Sequence, residues 1–256
     1  MKTYDWLVEH VELFESLSNS AKIGLYPGAF KPPHVGHYEA AVSALSKNDF
    51  VFVLISGQGR GEGPEKITGK QSKQIWDIYK QSLGDDRLKV VLVPNNVDPL
   101  SEKTSTVISA TYDVVHLLNN SGEFDPAGKF MKPHPIAQKI YNRLEEYDKF
   151  VVTVYAGAED FKGRYSGFPF KEDDIHKRYK GKNVVKIKKG LNKRLASASG
   201  IRPYISSYRQ NDAGNSNKIR EKILAGALKY DDFASIRKNL PGDEDVKDEV
   251  IDVLLK

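Results

Sequence analysis

From Ala21 to Leu45 the chain reads AKIGLYPGAFKPPHVGHYEAAVSAL. Ala21 to Leu25 is a short apolar strand, and Pro27, Gly28 and the pair Pro32-Pro33 end it at once. The prolines hold the following loop extended, and Gly36 lets the backbone come close to a ligand. A helix then begins near His37 and runs to Leu45, with Ala40, Ala41, Ala44 and Leu45 as its apolar stripe. Strand, extended loop and helix in this order present a helix N-terminus at the carboxyl end of a strand. Its amides and positive dipole end form an anion site.

Outward from this unit the same alternation continues. Phe50 to Ile55 (FVFVLI), Leu88 to Val93 (LKVVLV) and Phe150 to Tyr155 (FVVTVY) are continuous apolar runs, and Val184 to Ile187 is a shorter one. Such runs mark strands buried on both faces. Between them, helices are expected over Lys70 to Leu83, Thr106 to Leu118 and Ile136 to Leu144. The pattern predicts an α/β fold, a parallel sheet with helices on both faces. Ligands of such sheets bind at the carboxyl ends of strands, here just after Leu25, Ile55, Val93 and Tyr155. The last part is helical, over Ile219 to Leu228, Asp231 to Lys238 and Val246 to Leu255. The expected organisation is an N-terminal amphipathic helix over residues 1–20, an α/β domain over 21–228 with an insertion at 119–135, and a C-terminal helical segment over 229–256.

Composition excludes several function classes. With 256 residues, 39% of them hydrophobic and 29% charged, the chain can build a core. There are no cysteines, which removes disulfides, thiolate metal sites and cysteine nucleophiles and fits a reducing, cytoplasmic compartment. No run reaches the roughly 18 apolar residues of a membrane span. Met1 to Ser20 carries Asp5, Glu9, Glu12 and Glu15 and is not read as a secretory signal. Its apolar Trp6, Leu7, Val11, Leu13 and Phe14 suit a helix that packs on the domain or across a dimer. The net charge is +5, and basic residues concentrate between Lys171 and Arg194. A solvated surface and an electrostatic funnel toward a polyphosphate site both explain that run. Nucleic acid ranks last, because aromatic residues for stacking are not interleaved with it.

The chemistry centres on His34, His37 and Lys31. Two imidazoles three residues apart flank the helix start and can donate hydrogen bonds to phosphate oxygens. A zinc pair on a helix sits at i, i+4 beside an acidic base, which this spacing does not offer, so no metal ligands are assigned. This arrangement suits phosphoryl or nucleotidyl transfer, which needs phosphates held in line and charge offset at the reacting phosphorus, with no protein nucleophile.

The segment Gly28-Ala29-Phe30-Lys31-Pro32-Pro33-His34-Val35-Gly36-His37 resembles the GxFxPxHxGH signature of the HxGH nucleotidyltransferase superfamily, with every signature position matched. That superfamily includes nicotinamide-nucleotide, pantetheine-phosphate and cytidylyl transferases. The resemblance implies a Rossmann-like fold of the HUP type, with Gly28, Ala29, Phe30 and Gly36 lining a nucleotide. His34 and His37 would contact the triphosphate, and Lys31 would neutralise its charge. Gly157, Asp160 and Arg164, after the fourth strand, resemble the loop that lines the family's nucleotide pocket. Asn215-Ser216-Asn217-Lys218-Ile219-Arg220 resembles the family's late phosphate helix, giving Ser216, Lys218 and Arg220 to the β- and γ-phosphates, although Asn217 stands where the family carries threonine. Ser197, Ser199 and Arg202 form a competing phosphate loop, disfavoured because Pro203 interrupts a helix there. Ser56 and Trp76 are the acceptor-side candidates. The implied partners are a nucleoside triphosphate with Mg²⁺ and a small phosphorylated acceptor. Adenylyl transfer is slightly favoured over cytidylyl transfer to a sugar- or alcohol-phosphate. A non-catalytic nucleotide- or RNA-binding module is the alternative of another class.

Overall fold

The computed structural model describes residues 19–60, 62–94, 96–97, 104–123, 133–170, 183–191, 201–210, 214–225, 228 and 230–256. The helix expected before residue 19, the middle of the 119–135 insertion, most of the basic run from Lys171 to Arg194, and Ser197 and Ser199 lie outside the described residues.

Five parallel strands form the sheet: β1 (Ser20–Gly28), β2 (Phe50–Ser56), β3 (Leu88–Val93), β6 (Lys149–Ala156) and β7 (Val184–Leu191), in the spatial order β3-β2-β1-β6-β7. A short antiparallel pair, β4 (Asn96–Val97) and β5 (Thr104–Ser105), follows β3. The chain builds outward from β1 through β2 to β3, returns beside β1 as β6, and continues outward to β7. The order therefore reverses between β1 and β6, and in open α/β sheets the ligand crevice lies at that reversal. The parallel sheet with helices on both faces is what the sequence predicts.

Alternation along the strands assigns the two faces. Tyr26, Val51, Val53 and Ile55 enter one core together with helices α1 (Val35–Leu45) and α2 (Gly69–Leu83). Ile23, Leu25, Phe52, Leu54, Val152 and Val154 enter the other, against α3 (Val107–Asn119) and α4 (Pro135–Tyr141). The helix starts are built from local caps. Thr68 accepts from the Gln71 amide at 3.1 Å while Gln71 reaches back to the Thr68 amide at 3.0 Å, a capping box. Gly84 ends α2 at φ 64°, a left-handed cap that costs glycine nothing.

The late helices join the first core. α6 (Arg202–Gln210), α7 (Ser216–Leu224), α8 (Tyr230–Arg237) and α9 (Glu244–Leu255) contribute Ile205, Tyr208, Ile219, Phe233, Ile236, Val250 and Leu254 to the core of α1 and α2. Arg209 of α6 fastens them. Its guanidinium donates to Leu254 O at 2.9 and 2.5 Å and to Pro64 O and Lys66 O at 2.8 and 2.9 Å. α6 corrects the reading of Pro203. It falls in the first turn of a helix that starts at Arg202, where a missing N–H has no intrahelical acceptor to lose. Among the described residues no helix is long and apolar enough to cross a membrane.

Candidate functional site

The loop from Gly28 to His34 lies at the carboxyl end of β1, and α2 is its floor. Ser72, Trp76 and Tyr79 stand at i, i+4 and i+7, one face of that helix. The Ser72 hydroxyl donates to Phe30 O at 2.6 Å, and the Tyr79 hydroxyl reaches Pro33 O at 3.4 Å. Trp76 meets Phe30 edge-on, with ring centroids 5.4 Å apart. Phe30 sits at φ 50°, a left-handed conformation that costs a non-glycine residue about 1–2 kcal/mol. It is held there by its buried ring, which is also edge-on to Tyr26 at 4.9 Å and to His37 at 5.0 Å. That ring leaves room only for glycine at position 28, because a Cβ there would lie 2.6 Å from Phe30 Cζ.

His34 is the N-cap of α1, with extended backbone at φ −138°, ψ 175°. Its N–H donates to His37 Nδ1 at 3.4 Å, and the two rings stack with centroids 3.7 Å apart. Burial, followed by the neighbouring His34, pushes the His37 pKa down to about 3. His37 is therefore neutral at physiological pH. With Nδ1 accepting, its proton belongs on Nε2, which makes it a neutral hydrogen-bond donor.

Lys31 is the cation of this loop. It is 2% exposed, and its Nζ donates to Ser56 O, at the end of β2, at 2.8 Å. Among the described residues it forms no ion pair, and burial lowers its pKa to about 8. A buried ammonium bonded only to a carbonyl is short of negative charge. An arriving oxyanion would supply it.

Across the reversal point, β1 and β6 run in register from Ser20↔Lys149 to Leu25↔Val154; Gly28 ends β1 and Gly157 follows β6, both at the carboxyl ends of these neighbouring strands. Gly157 caps the short helix α5 (Ala158–Lys162). Asp160 and Arg164 follow, paired at 3.5 Å and well exposed, so the pair itself adds little stability.

The remaining candidates fall differently. Ser56 contributes its carbonyl to Lys31, and its hydroxyl accepts from the Gln58 amide at 3.3 Å. Trp76 is fully buried beneath Phe30. Stacking on an acceptor ring is closed to it, and its part is to support the loop. The sequence signal was ambiguous because an aromatic one turn into a helix suits either place. Asn215 caps α7 by accepting from the Lys218 amide at 2.9 Å. Ser216 is buried, and its amide already donates to Asp252 Oδ1 at 2.7 Å, so it is not open to a phosphate in this arrangement. Arg220, 41% exposed in its side chain, bonds Asp248. One contact was not foreseen. The Val35 amide, first in α1, donates to Asn239 O at 2.8 Å, which ties the chain between α8 and α9 to the histidine loop. No sequence pattern announces a carbonyl contact across two hundred residues.

An open parallel sheet with a helix start at its reversal point is the class this fold and site define. No family model matches the chain, and no curated protein matches it. Solved structures similar to it include a Vibrio parahaemolyticus protein assigned as a nicotinate-nucleotide adenylyltransferase, at 14% identity and TM-score 0.42 over 92% of this chain and 99% of that one. A bifunctional NMN adenylyltransferase/ADP-ribose pyrophosphatase of Francisella tularensis is similar at 12% identity and TM-score 0.40, over 75% of this chain and 43% of that one. A Plasmodium falciparum nicotinic acid mononucleotide adenylyltransferase is similar at 13% identity and TM-score 0.31, over 85% of this chain and 95% of that one. At these values the likeness lends no weight to any function, which is left to the residues themselves.

Proposed function

We propose that the chain is a nucleotidyltransferase, moving a nucleoside monophosphate from a triphosphate to a small phosphorylated acceptor, with adenylyl transfer favoured. The observation that carries this reading is the pairing of a neutral imidazole donor, His37, with a buried, anion-short ammonium, Lys31, around one helix start.

An acceptor phosphate oxygen attacks the α-phosphorus in line. The bond from that phosphorus to the bridging oxygen breaks, and pyrophosphate leaves with the electron pair. The protein supplies placement and charge rather than a covalent group. Lys31 and the His37 Nε2–H offset negative charge that grows on the α-phosphate and the leaving group, while His34 holds the His37 ring by stacking and through its backbone N–H. Gly157 lets the nucleotide approach the backbone, while Gly28 makes room for the Phe30 ring. Lys218 and Arg220 are the reserve of positive charge for the distal phosphates.

Among the described residues no group of three or more His, Asp or Glu could hold a metal ion. Mg²⁺ would arrive on the triphosphate oxygens and neutralise part of their charge. Absence of cysteine supports a reducing, cytoplasmic setting.

The test is pyrophosphate release with ATP, CTP, GTP and UTP and Mg²⁺, each against nicotinamide mononucleotide, phosphopantetheine and the choline, glycerol and ribose phosphates. Release with one pair that disappears in His37→Ala is the expected result. Tight triphosphate binding with no release for any pair would favour a binding module instead.

A further inference from the structure

Arg220 does not stand alone on α7. Its NH2 donates to Asp248 Oδ2 at 2.5 Å, its NH1 donates to Asn217 Oδ1 at 3.3 Å, and its guanidinium lies 5.8 Å from the centre of the Phe233 ring. Asp248 is shared. Its other oxygen accepts from Arg237, which also bonds Glu244 and sits 5.2 Å from the same ring. The two arginines differ in exposure, 12% for the Arg237 side chain and 41% for Arg220. Arg237 is thus the buried anchor, Asp248 the bridge, Phe233 the shared surface beneath, and Arg220 the outward cation.

An arginine fork has five N–H donors. Among the described residues Arg220 uses its two terminal nitrogens once each, on Asp248 and Asn217, so donors remain for an incoming oxyanion. Fixing the plane of the fork beforehand removes much of the ordering cost that a long side chain otherwise adds to binding. The same assembly reaches the histidine loop, since Asn239, two residues beyond Arg237, accepts the Val35 amide. The platform and the α1 helix start are therefore held to one strap of chain.

We propose that Asp248 is a positioning residue that holds Arg220 on the Phe233–Arg237 platform, ready to take the distal phosphates of the triphosphate. This rests on the nucleotidyltransferase reading above. It makes α8 and α9 part of the phosphate site, with Asp248 acting only through Arg220. A carboxylate whose sole effect is to stabilise the late helices would leave triphosphate affinity unchanged when altered.

The experiment is calorimetric titration of the full chain with Mg-ATP, Mg-CTP and Mg-tripolyphosphate, supplemented by KM and kcat for whichever pair turns over. The proteins compared are wild type, Arg220→Ala, Asp248→Ala, Asp248→Glu, the Arg220→Ala/Asp248→Ala double variant and His37→Ala, each checked for its thermal transition. Loss of charge-assisted bonds from Arg220 should weaken binding about 10- to 100-fold. Asp248→Ala should weaken it about 5- to 10-fold with little change in kcat, Asp248→Glu should restore part of it, and the double variant should be no weaker than Arg220→Ala alone. Asp248→Glu, which keeps the charge, guards against an unfolded Asp248→Ala. Weakening by Arg220→Ala but by neither Asp248 variant overturns the positioning role. If only His37→Ala weakens binding, the platform is overturned and the transferase reading stands. If wild type binds none of the three ligands, both fall together.

Discussion

On the transferase proposal, Lys31 and Arg220 are two cations offered to the same kind of ligand, and the protein prepares them in opposite ways. Among the described residues Lys31 is buried without a carboxylate partner, bonded to one carbonyl, with its pKa pushed down to about 8. Arg220 is half exposed and matched to a carboxylate that a second arginine shares. The first cation is held ready by being deprived of charge; the second is held ready by being oriented. Deprivation gives the larger response when an anion arrives but costs stability in its absence. Orientation costs little and returns correspondingly less. On that proposal the difference would put the strongest electrostatics at the reacting phosphorus and the milder recognition at the distal phosphates.

The largest effect should come from the loop that Lys31 belongs to. His37→Ala removes a donor to developing charge and should lower kcat about 100- to 1000-fold, with the thermal transition nearly unchanged. Pyrophosphate release under saturating triphosphate checks it, and a small loss would move the decisive charge to the Arg220 side of the comparison.

Lys31→Met separates function from stability. The folded pKa lies below the ordinary lysine value, so the unfolded chain holds the proton more tightly and the charged group opposes folding at neutral pH. That penalty, up to about 3 kcal/mol, fades as pH rises through about 8 toward the ordinary lysine range. The methionine variant loses the bond to Ser56 O but also the penalty, and its Tm at pH 7 should rise by roughly 2–6 °C while activity collapses. A fall in both would mean that Lys31 is not deprived in the sense drawn above.

The pH dependence of binding sharpens the same contrast. Triphosphate affinity should be level from pH 5 to 7, since His37 stays neutral down to about 3, and should fall beyond about pH 8 as Lys31 loses its proton. Lys31→Arg should flatten that fall, whereas Arg220→Lys should not change its midpoint. Calorimetry across this range reads it directly.

Smallest is the tie between the two regions. Val35→Pro deletes the N–H that Asn239 accepts, at a first helical position that suits proline and after a His34 backbone already extended. Loss of one backbone bond, worth about 1 kcal/mol, should weaken triphosphate binding two- to five-fold. No change would show that the strap does not couple the histidine loop to the Arg220 platform.

The strands and the histidine loop were legible because their signals are local. Leu88 to Val93 is read from its apolar run alone and found over those residues. The spacing of glycines, prolines and histidines from Gly28 to His37 predicts a loop and a helix start near His37, two residues after α1 begins at Val35. The α6 helix was not legible, because Pro203 argues against a helix unless its first-turn position is known. The Asp248 bridge was not legible either. Pairing of Arg220 with a carboxylate 28 residues onward depends on how α7 and α9 pack, and charges spaced along helices are ordinary surface features. The sequence leaves Trp76 between acceptor and core for the same reason, since whether an aromatic lines a pocket or supports it is decided by the partner element, and the structure puts it in the core.

The outermost strand of the sheet has a bearing on what copies of this protein do to one another. β7 exposes Lys186 and Lys188 along the border of the sheet. Two molecules meeting border to border would bring these ammonium groups together, and mutual repulsion would oppose continuation of one sheet into the next. Among the described residues β7 is the border on this side, and its charge opposes the joining of one copy's sheet edge to another's.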